Sequence, residues 1–151
     1  MVDCTPVDPD AIEARGLIAE LDAALAAICG DSGAQSFDAN DVRGPRSVFL
    51  LAREVAGVAG VAVGCGALRP IDDDVAEVKR MYARPGSGAG VQLLGELERR
   101  ALGFGYRAVW LETRKVNGRA VAFYERHGYR VIPNYGKYVG REDAVCLGKV
   151  L

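Results

Sequence analysis

Apolar side chains at Ile12, Leu17, Ile18, Leu21, Leu25 and Ile28 recur at helical intervals, so the first element predicted is an amphipathic helix. Asp8-Pro9-Asp10 opens it, with Asp8 as N-cap and Pro9 in the first turn, and Gly30 ends it. Residues 31–46 are polar and loop-like, with a short helical turn near Asn40. Residues 47–54 and 61–68 read as strands joined by a hairpin connection at residues 57–60, and residues 75–83 as a third strand. Arg84-Pro85-Gly86-Ser87-Gly88-Ala89-Gly90 then leads into Val91, Leu93, Leu94, Leu97, Ala101 and Leu102, a second helical period closed by Gly103 and Gly105. A strand at 107–113, a helix at 117–127 stopped by Gly128, and strands at 129–133 and 144–150 complete the chain. The alternation of elements predicts an α/β (α+β) domain built on a mixed sheet.

Composition narrows this picture. With 151 residues, 50% hydrophobic and 26% charged, the chain is expected to be one domain, 1–151. A chain of this size buries about 70% of its unfolded surface, enough for a core without a metal or disulfide staple. The net charge of −1 conceals a division: residues 1–77 carry five basic and 14 acidic side chains, residues 78–151 carry 14 and six. Such halves are suited to ligands of opposite sign. Cys4, Cys29, Cys65 and Cys146 are widely spaced and His127 is the single histidine, so no metal is expected. The N-terminus lacks a basic segment followed by an apolar run, and the longest apolar stretch, 55–68, is glycine-laced and short of the ~20 residues of a membrane span. The expectation is a cytoplasmic protein with free thiols, no membrane and no nucleic-acid partner.

The glycine-rich turn carries the first chemical signal. Unpaired amides at a helix N-terminus, with about half a positive charge from the helix dipole, make an anion site, and glycine lets the backbone come close to a phosphate. Two common phosphate motifs do not fit. A triphosphate loop needs a Gly-Lys-Ser/Thr helix start, and no lysine occurs between Lys79 and Lys115. A dinucleotide fingerprint read from Gly86 needs glycine where Val91 stands.

Three segments in this order resemble another family. Glu77-Val78-Lys79-Arg80-Met81-Tyr82-Ala83-Arg84-Pro85, then Gly86-Ser87-Gly88-Ala89-Gly90 with Leu93-Leu94, then Asn117, Ala120, Tyr124 and Gly128-Tyr129 are similar to the GNAT superfamily of N-acetyltransferases, over roughly residues 61–151. One departure is visible: family members place a few more residues between the Arg-Pro pair and the first glycine, whereas Pro85 abuts Gly86. The loop is either shortened at its entry or short of residues lost from a mobile surface segment, and the second is the expectation. The resemblance implies a mixed sheet of about six to seven strands flanked by helices, and acetyl-CoA as cosubstrate. It further implies that Met81, Tyr82 and Ala83 line the pantetheine arm, that Arg84, Gly86, Ser87, Gly88, Ala89 and Gly90 hold the pyrophosphate, and that Asn117 and Tyr124 complete the coenzyme site.

Acetyl transfer to an amine requires a neutral nucleophile, a polarised carbonyl and a proton for the departing thiolate. Glu77 is the candidate base and Tyr124 the candidate acid. Glu112 is a second carboxylate, and Tyr135 and Tyr138 are candidate acceptor-binding aromatics. His127 is expected to cap a helix, while Trp110 and Cys65 are expected in the core. The implied reaction is N-acetylation of a primary amine of a small molecule, amino acid or peptide by direct attack in a ternary complex. The alternative is a catalytically weak coenzyme-A-binding sensor or interaction module. With the acidic half nearer the acceptor, a cationic amine is expected, and a homodimer through an edge strand is compatible with the pattern.

Overall fold

The computed structural model describes residues 2–55 and 60–151, so the hairpin connection expected at 57–60 falls largely outside the described residues. Seven strands form one sheet: β1 (Val2–Pro6), β2 (Val48–Glu54), β3 (Ala62–Pro70), β4 (Val75–Ala83), β5 (Ala108–Arg114), β6 (Arg130–Ile132) and β7 (Ala144–Val150). Their spatial order is β1-β2-β3-β4-β5-β7-β6, and every pairing is antiparallel except that of β4 with β5. Three α-helices accompany them: α1 (Ile12–Cys29), α2 (Ala89–Gly103) and α3 (Gly118–Arg126). This is the mixed-sheet α/β architecture expected from the alternation of elements.

Both faces of the sheet are covered, because alternate side chains of the central strands serve different helices. Val48, Leu50 and Ala52 of β2 pack with Leu93, Leu94 and Leu97 of α2 and Tyr124 of α3. Phe49 and Leu51 face the other way, with Ala14 and Leu17 of α1. Close approach of α2 depends on two glycines of β3. A Cβ at Gly64 would stand 2.8 Å from Leu93 Cδ1 and 2.8 Å from the carbonyl oxygen of Tyr82, and one at Gly66 2.9 Å from Leu97 Cδ1.

Several expectations are corrected. Strand β1 was not expected; its Val2 and Cys4 pack against the α2-side core, and it forms the sheet edge on β2. Helix α1 starts at Ile12 rather than at Asp8-Pro9, and Asp8 instead accepts bonds from Asp10 N and Arg43. Ile12 and Ile28 are exposed, so the buried face of α1 reduces to Ala14, Leu17 and Leu21. Trp110 is only half-buried, its indole lying over Gly148 and 5.2 Å from the Tyr135 ring. The other boundaries fall within two residues of expectation, and Gly30 (φ 75°) and Gly128 (φ 91°) take the left-handed conformation that ends α1 and follows α3.

Two irregularities of β4 position everything that follows. Between Cys65↔Tyr82 and Ala67↔Lys79 the ladder slips, leaving Arg80 and Met81 opposite Gly66 alone, with Arg80 at φ 51°. A bulge of this kind bends the strand and re-aims its side chains. The parallel pairing of β4 with β5 covers only Val75–Glu77 against Ala108–Trp110. Beyond Glu77 the two strands part.

Candidate functional site

A cleft opens where β4 and β5 separate. Main-chain groups that β4 would have bonded to β5 are left facing it, as polar groups requiring partners. The walls come from β4 (Glu77, Lys79, Arg80, Met81), β5 (Leu111, Glu112, Arg114), the C-terminal half of α1, the loop at 31–36, and Asn117 and Tyr124 of the α3 region.

At one end stands the glycine turn. Ser87 N bonds Arg84 O at 3.0 Å, Gly86 (φ 80°) and Gly88 (φ 70°) are left-handed, and Gly88 caps α2. Residues 84–88 thus form a tight turn into the helix. Ser87 Oγ accepts a 3.3 Å bond from Ala89 N, and Gly90 lies against the Phe123 ring, where a Cβ would make contact at 3.5 Å. The first turn of α2 leaves amides directed outward beside bare glycine backbone, which suits an anionic phosphate group. Arg84, expected beside that phosphate, instead pairs with Glu20 of α1 at 2.7 Å, and Tyr82 donates to the same carboxylate.

Further in, Asn117 caps α3 by accepting from Ala120 N and borders the cleft, as does Met81. Tyr124 is 8% exposed and packs edge-on to Phe123 and Tyr129, and burial pushes its phenol well above the ordinary tyrosine value. Its hydroxyl is thus kept protonated.

The opposite end is charged. Glu77 is 4% exposed; Oε2 accepts a 2.6 Å bond from Tyr135 and Oε1 lies 3.7 Å from Arg69 Nε. A strand carboxylate of this kind could have paired with Arg80 or Lys79 next to it, but Arg80 turns to Asp22 at 2.8 Å and Ser32 O at 3.0 Å. Glu112, across the cleft, pairs with Arg114, while burial pushes its carboxyl above the usual range. Tyr138 is buried beside Tyr135 and accepts a 3.4 Å bond from Lys79. Tyr135 and Tyr138 are therefore on the wall of the cleft or directly behind it.

Lys79 is the residue the sequence reading passed over. It is 8% exposed, donates to Ser36 O, and is pulled down to about 8, first by burial and then by Lys137 and Arg69, with Glu77 opposing. The available signal was its inward register two residues from Glu77 in an otherwise buried strand. His127 and Cys65 lie outside the cleft: His127 Nδ1 meets Phe123 O at 2.7 Å at the end of α3, and Cys65 is fully buried behind the bulge, its thiol pushed up to about 12. Among the described residues no cluster of three metal-ligating side chains occurs, and no helix is long and apolar enough to cross a membrane.

Comparison with known proteins agrees with this geometry. Residues 15–129 match the family described as acetyltransferase (GNAT) family. An uncharacterized N-acetyltransferase of Mycobacterium tuberculosis is 32% identical over 90 residues, which is 58% of this chain and 55% of that protein. The aligned segment thus spans about half the length of that relative. A Klebsiella pneumoniae protein assigned as an acyl-CoA N-acyltransferase superposes with a TM-score of 0.82 at 28% identity, covering 100% of this chain and 98% of that one. A GNAT family acetyltransferase of Elizabethkingia anophelis, solved with acetyl-CoA bound, shares the fold at a TM-score of 0.69 and 16% identity, covering 99% and 98%.

Proposed function

The chain belongs to the acetyltransferase (GNAT) family, and from that premise we propose that it transfers the acetyl group of acetyl-CoA to a primary amine by direct attack within the cleft. The carrying observation is the parting of β4 and β5 beyond Glu77 and Trp110, which joins the open N-terminus of α2 to a buried carboxylate. Acetyl-CoA supplies the activated thioester. The residues present fit it: left-handed Gly86 and Gly88, each with open space where a Cβ would stand, leave room for a phosphate at α2, and Met81, Tyr82 and Ala83 offer strand backbone past the last bond to β5.

In this reading Gly86 to Gly90 hold the pyrophosphate through helix-terminal amides. Backbone groups of Met81 and Ala83 orient the arm, and a strand amide there gives the carbonyl oxygen a donor. Asn117 fixes the start of α3 beside that arm and so places Tyr124. Glu77, directly or through water, takes a proton from the substrate ammonium, and Glu112 is the second carboxylate within the cleft. Tyr124, kept protonated by burial, gives its proton to the leaving sulfur. Free thiols at Cys4, Cys29, Cys65 and Cys146 are in keeping with a reducing cytoplasm.

The direct step from Pro85 to Gly86 favours one second reading, a coenzyme-A-binding module with little turnover. Titration calorimetry with acetyl-CoA and a thiol-release screen over amines separate the two. Binding with release supports the transferase, binding without release supports the module, and no binding below millimolar concentration removes both.

A further inference from the structure

The cations of the cleft are not equally compensated. Arg80 has Asp22 at 2.8 Å, and Arg114 has Glu112 together with Asp31 at 3.5 Å. Lys79 is as buried as Arg80, yet among the described residues no carboxylate lies within 4 Å of its ammonium. Glu77, two residues earlier on the same strand, attracts it, but that carboxylate is already engaged by Tyr135 and Arg69. Among the described residues the Lys79 ammonium donates to neutral oxygens, Ser36 O and the Tyr138 hydroxyl.

A second ammonium converges on the same place. Lys137, from the loop before β7, donates to Ser36 O at 3.1 Å and lies 5.8 Å over the Tyr138 ring. One main-chain carbonyl thus receives two lysines from segments 58 residues apart. Around it stand three cations, Lys79, Lys137 and Arg69, and three carboxylates: Glu77 and Asp41 contact Arg69, and Glu112, across the cleft, attracts Lys79 but is paired with Arg114. Burying an uncompensated charge is costly, and bringing like charges together adds to the cost, so such an arrangement is relieved by an anion entering from outside. Lys79, Ser36 and Tyr138 line the same cleft as Glu77 and Tyr124, so an anion held there belongs to a molecule lying beside the proposed proton-transfer groups.

We propose that Lys79 and Lys137 form the carboxylate subsite of the acyl acceptor, so that the acceptor is an amine that also bears a carboxylate, as amino acids and peptides do. This rests on the acetyl-transfer reading for the word acceptor, but the anion site itself does not. It adds an anionic group to the cationic amine expected from the division of charge along the sequence, because two lysines meet at Ser36 O.

The test measures binding and turnover separately. Titration calorimetry compares an N-acetyl amino acid with its primary amide, which differs only in the carboxylate, on the wild type and on Lys79→Met, Lys79→Gln and Lys137→Ala. Thiol release compares the parent amino acid, its amide and the decarboxylated amine. The expected result is about ten- to a hundred-fold tighter binding of the carboxylate by the wild type, a range typical of charge-assisted hydrogen bonds. That preference is lost in both Lys79 variants and reduced in Lys137→Ala, and in turnover it is carried by KM rather than kcat. Equal binding of acid and amide, or binding of neither, overturns the proposal. So does an equal loss with all three amines in Lys79→Gln accompanied by a shifted pH profile, which would make Lys79 a proton-transfer group. Carboxylate preference in binding without any thiol release keeps the anion site and removes the acetyl-transfer reading; release without preference does the reverse.

Discussion

The hydroxyl of Tyr135 donates a 2.6 Å hydrogen bond to Glu77 Oε2, fastening the loop before β7 to the centre of β4. Burial and the neighbouring carboxylate together hold that phenol well above the usual tyrosine value, so it remains a donor throughout the working pH range. Glu77 is therefore positioned from one side by Tyr135 and from the other by Arg69, 3.7 Å away.

Removing the carboxylate of Glu77 tests its role as the base. Glu77→Gln is expected to lower kcat/KM by about 10²- to 10⁴-fold, the usual range for a general base, and to flatten the acid limb of the pH profile. Tyr135→Phe should destabilise the fold by about 1–3 kcal/mol, because a buried carboxylate loses a donor. Urea titration and steady-state kinetics of both single variants and the double variant check this; additive effects would show that the bond does not couple the two residues.

Tyr124→Phe keeps the ring packing on Phe123 and Tyr129 and deletes only the hydroxyl, and with it the proton. Turnover is expected to fall by about 10²-fold or more while the dissociation constant for acetyl-CoA changes little. Single-turnover kinetics beside calorimetry check it, and unchanged turnover would remove the acid role.

Gly64→Ala tests how the sheet admits α2. The added Cβ meets both Leu93 Cδ1 and the Tyr82 carbonyl oxygen at 2.8 Å, and the second of these is backbone that cannot swing aside. A destabilisation of about 1–3 kcal/mol is expected from overpacking, measured by chemical denaturation, with weaker acetyl-CoA binding as α2 is pushed outward.

Lys79 imposes a pH dependence of defined sign. Its folded value of about 8 lies below the ordinary 10.5, so below pH 8 both states carry the proton and the whole cost of the buried charge is present. Between about 8 and 10.5 the unfolded chain binds more protons than the folded one, and stability rises with pH. Lys79→Met is expected to be about 1–3 kcal/mol more stable than wild type near pH 7, with the difference shrinking toward pH 10. Denaturation at several pH values checks the trend, and a gap that is constant with pH would assign the effect to packing instead.

The sequence by itself determined what depends on neighbouring residues. The apolar intervals of α2, the extents of β2 to β4, the stops at Gly30 and Gly128, and the glycine turn before Ala89 are properties of short stretches of backbone, and each lies within two residues of its expected place. Edge strand β1 escaped because five residues, two of them Pro6 and Asp3, carry too little alternation to be read without β2 beside them. The start of α1 was misplaced because Asp8 can cap locally but is held by Arg43, 35 residues away. Only the tertiary structure decided the chemistry of the cleft. Inserting β7 between β5 and β6 brings Tyr135, Lys137 and Tyr138 back over β4, and the loop at 31–36 closes on them from the other end of the chain. Pairings such as Glu77 with Tyr135, Arg80 with Asp22, Arg84 with Glu20 and two lysines with Ser36 O follow from that strand order, and no local pattern contains it.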